Sequence, residues 1–259
     1  MMAAAEIAVD RATLFEFLTR MGDNTLILGH RVSEWCGHAP VLEEDIALAN
    51  TALDLIGQTH FWLGLAGEVE GKGRSADALA FLRDASGFRN ALLVERPNGD
   101  FGQTLMRQFL FDAWHHVMLT ALTGSSDPRV AEIAAKALKE VSYHLERSGD
   151  LIVRLGDGTA ESHARMQRAL DDMWSYVGEL FIADETDRAI AGAGIAPDPA
   201  SLRPQWEAIV GEVLHEATLK VPTTTYVHKG GRRGIHTEHL GYILADMQFL
   251  QRAYPGATW

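Results

Sequence analysis

Between the breaker cluster Gly37–Pro40 and the glycine-rich GKG at 71–73 lies a stretch, Val41 to Glu70, in which apolar side chains fall on nearly every face of a helix. The exception is a row formed by Glu43, Asn50, Asp54 and Gln58. A helix that is apolar on almost all sides has to be surrounded by other elements, because a free one would expose most of that surface to water. This constraint points to a bundle with the stretch as a central helix, and it leaves the polar row either solvated or enclosed as a polar seam. The rest of the chain repeats the helical period, and no segment of strict apolar–polar alternation interrupts it. The expected class is all-α.

The first helix is expected over about Asp10–Cys36, with Leu14, Phe17, Leu18, Met21, Leu28, Val32 and Trp35 on one stripe and Asn24 inside it. A long connection, 71–100, follows the second helix and ends in the turn signal PNGD. A connection of that length implies a task of its own. The third helix is expected over about Phe101–Leu122. The fourth begins at Asp127 and Pro128, an N-cap followed by a residue suited to the first turn, and carries Val130, Ile133, Ala137, Val141, His144, Leu145, Ser148 and Ile152 toward Gly156. A fifth is expected over about Ala160–Gly192, and two shorter ones over about Leu202–Leu219 and Thr237–Tyr254, separated by the loop VPTTTYVHKGGRRG. The organisation implied is one domain over 1–259, with an antiparallel core bundle over about 10–192 and C-terminal helices over about 200–259 packed outside it.

Composition excludes several partners. The chain has 259 residues and a formal charge of −12, with a pI near 5.3. Nucleic acid and anionic membrane are polyanions and are disfavoured by that charge. The single cysteine, Cys36, excludes an internal disulfide. MMAAAEIAVDRATLFEF carries no secretory pattern, so a reducing cytoplasmic location is expected. The most apolar run, Ala49–Gly67, is broken by Asp54, Gln58 and His60 and reads as a buried helix, not a membrane span.

The stretch LKEVSYHLERSGDLI raises the question of a metal. Di-iron bundles place a lone carboxylate on each of two helices and a Glu-x-x-His pair on each of the other two. Eleven His among 35 acids give roughly 1.5 acid-x-x-His matches by chance, and the chain has two, Asp112/His115 and Glu212/His215, so spacing alone carries no weight. A ferritin-like template over the four long helices puts the lone positions at Asn24 and Asp112 and the paired positions at Asp54/Gly57 and Val141/His144. On that register an amide, a glycine and a valine stand where ligands are needed. Asp54, Asp112 and His144 remain, too few to balance two irons in a low-dielectric core. These positions are therefore expected to be the remnant of a site, with no catalytic residue and no metal in this chain, and His144 is expected to be held by Glu140, Asp54, Asp112, Tyr143 or a trapped water. The alternative is an autonomous di-iron or di-manganese oxidase with the ligand set Glu140, His144, Asp54, Asp112 and His115. The chain has no G-x-S-x-G elbow, P-loop or G-x-G-x-x-G before a helix. Cys36 beside His38 is expected to be an ordinary buried thiol.

LGHRVSEWCGHAP (28–40), EEDIALANTALDLIGQ (43–58), LLVERPNGDF (92–101), DAWHH (112–116) and GIHTEHLG (234–241) together resemble the C-subunit family of the multicomponent phenylacetyl-CoA 1,2-epoxidases, also called phenylacetate-CoA oxygenases. The resemblance runs from about Asp23 to Trp259. It implies a ferritin-like bundle without metal beside a related catalytic subunit that holds the di-iron centre. It further implies a reductase subunit, with flavin, an iron–sulfur centre and NADPH-derived electrons, which docks transiently, and phenylacetyl-CoA as the complex's substrate. The partner surface is expected to draw on 71–100 or the C-terminal segment. A third reading, a bundle that binds CoA thioesters without oxidising them, rests on Lys229, Arg232 and Arg233, whose cations suit CoA phosphates; the competing expectation for that loop is a solvated, mobile turn.

Overall fold

The computed structural model describes residues 9–257. Four long helices form its centre: α1 (Arg11–Ser33), α2 (Leu42–Glu70), α4 (Phe101–Leu122) and α5 (Pro128–Gly156). The short helix α3 (Ala76–Phe81) lies in the connection between α2 and α4, and α6 (Ala160–Val177), α7 (Glu185–Gly192), α8 (Pro199–Glu216) and α9 (Glu238–Ala253) follow. Among the described residues there is no strand, and the chain is an all-α bundle of ferritin-like type.

The ends of the helices follow from local chemistry. Asp10 caps α1 by accepting from the Thr13 amide. Asp100 and Gln103 form a reciprocal capping box at α4. Asp127 caps α5, with Pro128 in its first turn. Each side chain takes up donors that the first turn leaves without helical partners.

α1 and α2 pack along their whole length, antiparallel, and two glycines set the closeness. A Cβ on Gly22 would lie 2.5 Å from Leu63, and one on Gly29 would lie 3.1 Å from Ile56. α4 and α5 form the second antiparallel pair. α2 meets α5 through Asp54–His144 and Gln58–Glu140, so these two also run antiparallel, and α2 must be parallel to α4. A chain that leaves α2 at one end of the bundle has to re-enter α4 at the other. This is the task of residues 71–100.

The connection is fastened from inside. Asp23 of α1, fully buried, accepts from both Arg83 nitrogens and from the Arg89 amide at 2.8 Å. Asn24 accepts from the Ala91 amide at 2.8 Å. Glu179, just past α6, takes the amides of Leu92 and Gly230. Glu95 accepts from Asn90, His236 and the Thr237 amide. Residues 90–95 are consequently buried within the chain itself, and this part of the connection offers no outer surface to a partner.

The expected fifth helix is interrupted. α6 stops at Val177, and a short 3-10 turn leads into a new helix capped by Asp184 with Asp187. At the break Gly178 lies so close to the incoming 220–230 segment that a Cβ would meet Val227 at 2.6 Å, while His228 donates to Ser175 O. The loop HKGGRRG is not a mobile turn. Gly231 presses against the crossover, where a Cβ would sit 2.2 Å from Asn90 O, and Gly234 has φ +75° with a Cβ position 2.3 Å from Ser86 O.

Gly231→Ala should therefore destabilise the chain by about 1–3 kcal/mol, as forced overpacking does, while Gly192→Ala, which faces open space, should be neutral or stabilising. Urea unfolding of the two variants beside the wild type measures this.

Candidate functional site

The polar row of α2 divides on folding. Glu43 and Asn50 are exposed, Asp54 is half-buried and Gln58 is buried. The inner half meets α5 in a ladder of side-chain pairs: Glu44 with Arg147, Asp54 with His144 at 3.0 Å, and Gln58 with Glu140 at 2.9 Å. Below them Lys136 lies over the Phe61 ring at 4.0 Å. α2 and α5 are thus joined by hydrogen bonds and charge, whereas α1–α2 and α4–α5 are joined mainly by apolar packing, with single side-chain hydrogen bonds such as Thr25–Thr59 and Ser148–Asp112 inside it.

Behind the ladder, on α4, sit Asp112 and His115, both fully buried. Asp112 accepts from Gln108 at 2.7 Å and Ser148 at 3.1 Å. Burial pushes its carboxyl up to about 7, against the pull of His144. Burial, with help from the neighbouring His144 and His116, drives the His115 imidazole down to about 3. His115 is packed among Phe111 and Trp114, with neither ring nitrogen bonded to protein.

The template positions separate in space. Asp54 and His144 meet, and Asp112 lies next to them through Ser148 on α5. Of the four side chains expected to hold His144, Asp54 does so; Glu140 is bonded to Gln58, and Tyr143 is exposed. Asn24 turns to the crossover backbone, Gly57 lies exposed beside open space, and Val141 is buried with no donor atom to offer. Sequence spacing located these positions along the helices, but it could not say which way each faced. Each carboxylate near the centre already has protein partners, and among the described residues no group of three or more His, Cys, Asp or Glu side chains converges to hold a metal ion. The donor set does not fit a di-iron centre.

Elsewhere, Arg232 is committed to Asp187 and to Ile182 O. Lys229 and Arg233 are exposed and border, with Arg232, a cleft of about 230 Å³ that also contains Glu179 and Asp184. Cys36 is exposed, not buried, because it falls beyond Val32, the last buried residue of α1, in the turn that Asp45 fastens by accepting from the Gly37 amide. Glu212 and His215 are both exposed on α8. No described helix is long and apolar enough to cross a membrane.

Spacing gave no sign of Asp23, Glu95 and Glu179. The motif stretches LLVERPNGDF and GIHTEHLG contain two halves of one contact, Glu95 with His236 and Thr237, and that coincidence was the available signal.

A four-helix bundle with a long buried crossover and a polar seam in its core defines a ferritin-like helical protein. The chain belongs to the family described as phenylacetic acid catabolic protein, whose model matches residues 2–259. It is 51% identical over 246 residues, 95% of this chain and 99% of the relative, to the C subunit of the 1,2-phenylacetyl-CoA epoxidase of Escherichia coli (strain K12).

Two opposing titrations follow from the buried pair. Asp112 binds its proton more tightly folded than unfolded, so its contribution is full near pH 4 and is lost as pH rises toward 7. His115 resists protonation in the fold, so its contribution is full above about pH 6.5 and is lost as pH falls. Asp112→Asn should remove the alkaline-side loss and leave the His115 gain unopposed: the melting temperature of the variant is expected to rise between pH 5 and 6.5, where the two contributions largely offset each other in the wild type.

Proposed function

We propose that this chain is a non-catalytic, structural and substrate-positioning subunit of a multicomponent di-iron oxygenase that epoxidises the ring of phenylacetyl-CoA in aerobic phenylacetate catabolism. The observation that carries the reading is the α2–α5 seam together with the α4 carboxylate behind it, in which Asp54, Glu140 and Asp112 are spent on His144, Gln58, Gln108 and Ser148. A core closed in this way stays folded without metal charge, and frees the outer surface to hold a neighbour. The iron and the oxygen chemistry belong, on this reading, to a related subunit, and a reductase subunit docks transiently to deliver electrons from NADPH. The 51% identity to a C subunit across 95% of the chain supports the assignment, as does the mismatch between the seam and a di-iron ligand set. The same seam weighs against an autonomous oxidase built on Glu140, His144, Asp54, Asp112 and His115. CoA recognition by the loop is reduced to Lys229 and Arg233, since Arg232 already has a carboxylate partner.

The purified chain should contain less than about one tenth of an equivalent of iron or manganese by elemental analysis. His144→Ala removes the partner of Asp54 from the seam and should cost about 1–3 kcal/mol of stability. Ring epoxidation per iron by the reassembled complex should be unchanged at temperatures where the variant is folded. Two metal ions per chain, with activity in the absence of other oxygenase subunits, would establish the autonomous oxidase instead.

A further inference from the structure

α2 is not the enclosed central helix that its composition suggests. Its outer face carries Leu42, Ile46, Leu53, Ile56 and Phe61, exposed by 71, 54, 70, 38 and 38%. With Ala49 and His60 the positions run 42, 46, 49, 53, 56, 60, alternating steps of four and three. That is the spacing at which one helix interlocks side chains with another crossing it at about 20°. Over the nineteen steps from Leu42 to Phe61 the ridge is about 29 Å long. Exposed apolar side chains aligned in this way are uncommon on a protein that works alone. Gly57 and Gly64 border the ridge with no atom within 4 Å of a Cβ position, so a second backbone can approach closely.

The charges beside the ridge select among occupants. Along its first two-thirds the acidic groups of α2 that face solvent beside the ridge are Glu43, exposed, and the carboxylate of Asp54, half-exposed although bonded to His144. The nearest cation of α5 there, Arg147, is committed to Glu44. Farther along, Lys136 is drawn over Phe61. Two copies of this chain joined through α2 would bring acidic rims together on molecules that each carry −12. Asp54 cannot be covered by an apolar surface without a counter-charge to replace its lost hydration.

We propose that the outer face of α2 is the docking ridge for a long amphipathic helix of another epoxidase subunit, one that sets an apolar seam into the Leu42–Phe61 ridge and presents Lys or Arg to Glu43 and Asp54. The inference rests on the reading of this chain as a subunit, and it names the surface and the chemistry of the partner. Leu53, at the middle of the ridge, is the apolar anchor, and Asp54 beside it is the specificity-determining charge.

The test uses the full-length chain and the iron-carrying subunit of the same epoxidase, mixed and followed by titration calorimetry, with the free chain also examined by sedimentation. Leu53→Asp should weaken the complex at least about 100-fold, as loss of a central anchor does, with an unchanged melting temperature of the free chain. Glu43→Lys should weaken it several-fold at about 50 mM salt and have no effect at about 1 M, because a rim charge acts through a screened field. Phe249→Asp, which alters a separate exposed apolar site on α9, should have no effect. Wild-type binding by Leu53→Asp, or loss of binding only in Phe249→Asp, overturns the ridge while leaving the subunit reading standing. A free chain that dimerises, and is made monomeric by Leu53→Asp with no change in the mixed complex, assigns the ridge to a second copy and also overturns the proposal. If the wild-type chain binds no epoxidase subunit, both readings fall.

Discussion

The structure depends on a handful of buried acceptors that satisfy irregular backbone. Parallel placement of α2 and α4 forces the chain to travel back along the bundle, and part of that return lies under cover, where amides cannot reach water. Asp23, Asn24, Glu95 and Glu179 accept from Arg89, Ala91, Thr237, Leu92 and Gly230. Removing one such acceptor strands its donors at a cost of about 1–3 kcal/mol each. The bundle's apolar packing gives it bulk; these acceptors decide which path the crossover takes.

The two helix pairs are joined differently on their two sides. Apolar residues along α1–α2 and α4–α5 form tight pairs, and the crossover with its clasp ties α1 to the α6–α9 region. On the remaining side α2 and α5 meet through Asp54–His144, Gln58–Glu140 and Glu44–Arg147. This seam lies immediately behind the exposed ridge of α2. The half-exposed carboxylate of Asp54 belongs to both surfaces, so whatever covers the ridge also changes the surroundings of His144.

Much of the fold was legible because its signals are local. The cap at Asp127, the turn signal PNGD and the apolar period fixed the four long helices to within a few residues. The break after Val177 was not legible, since it is caused by Val227 arriving from a distant part of the chain at Gly178. Hydrophobicity placed α2 at the centre because an apolar helix face looks the same whether its neighbour lies in the same chain or another. The seam was half legible: spacing aligned Asp54, Asp112 and His144, but it also aligned Asn24 and Gly57, which face elsewhere. The buried acceptors escaped because their donors are backbone amides 51 to 142 residues distant, and such a contact leaves no pattern in sequence.

The clasp between Glu95 and the His236–Thr237 segment also orders events in time. On the ribosome, the crossover emerges and can lie against α1 long before the residues that complete its hydrogen bonding exist. Until residues 230–237 are made, Glu95 and Glu179 are without donors from that segment, and the bundle is held by contacts that have not yet been locked. Folding of this helical protein therefore ends on a contact of very long sequence separation, a step more common in slow-folding β proteins than in bundles. The last stretch of the chain acts as a latch, and a nascent chain stopped short of it would remain in a loosened, protease-sensitive form.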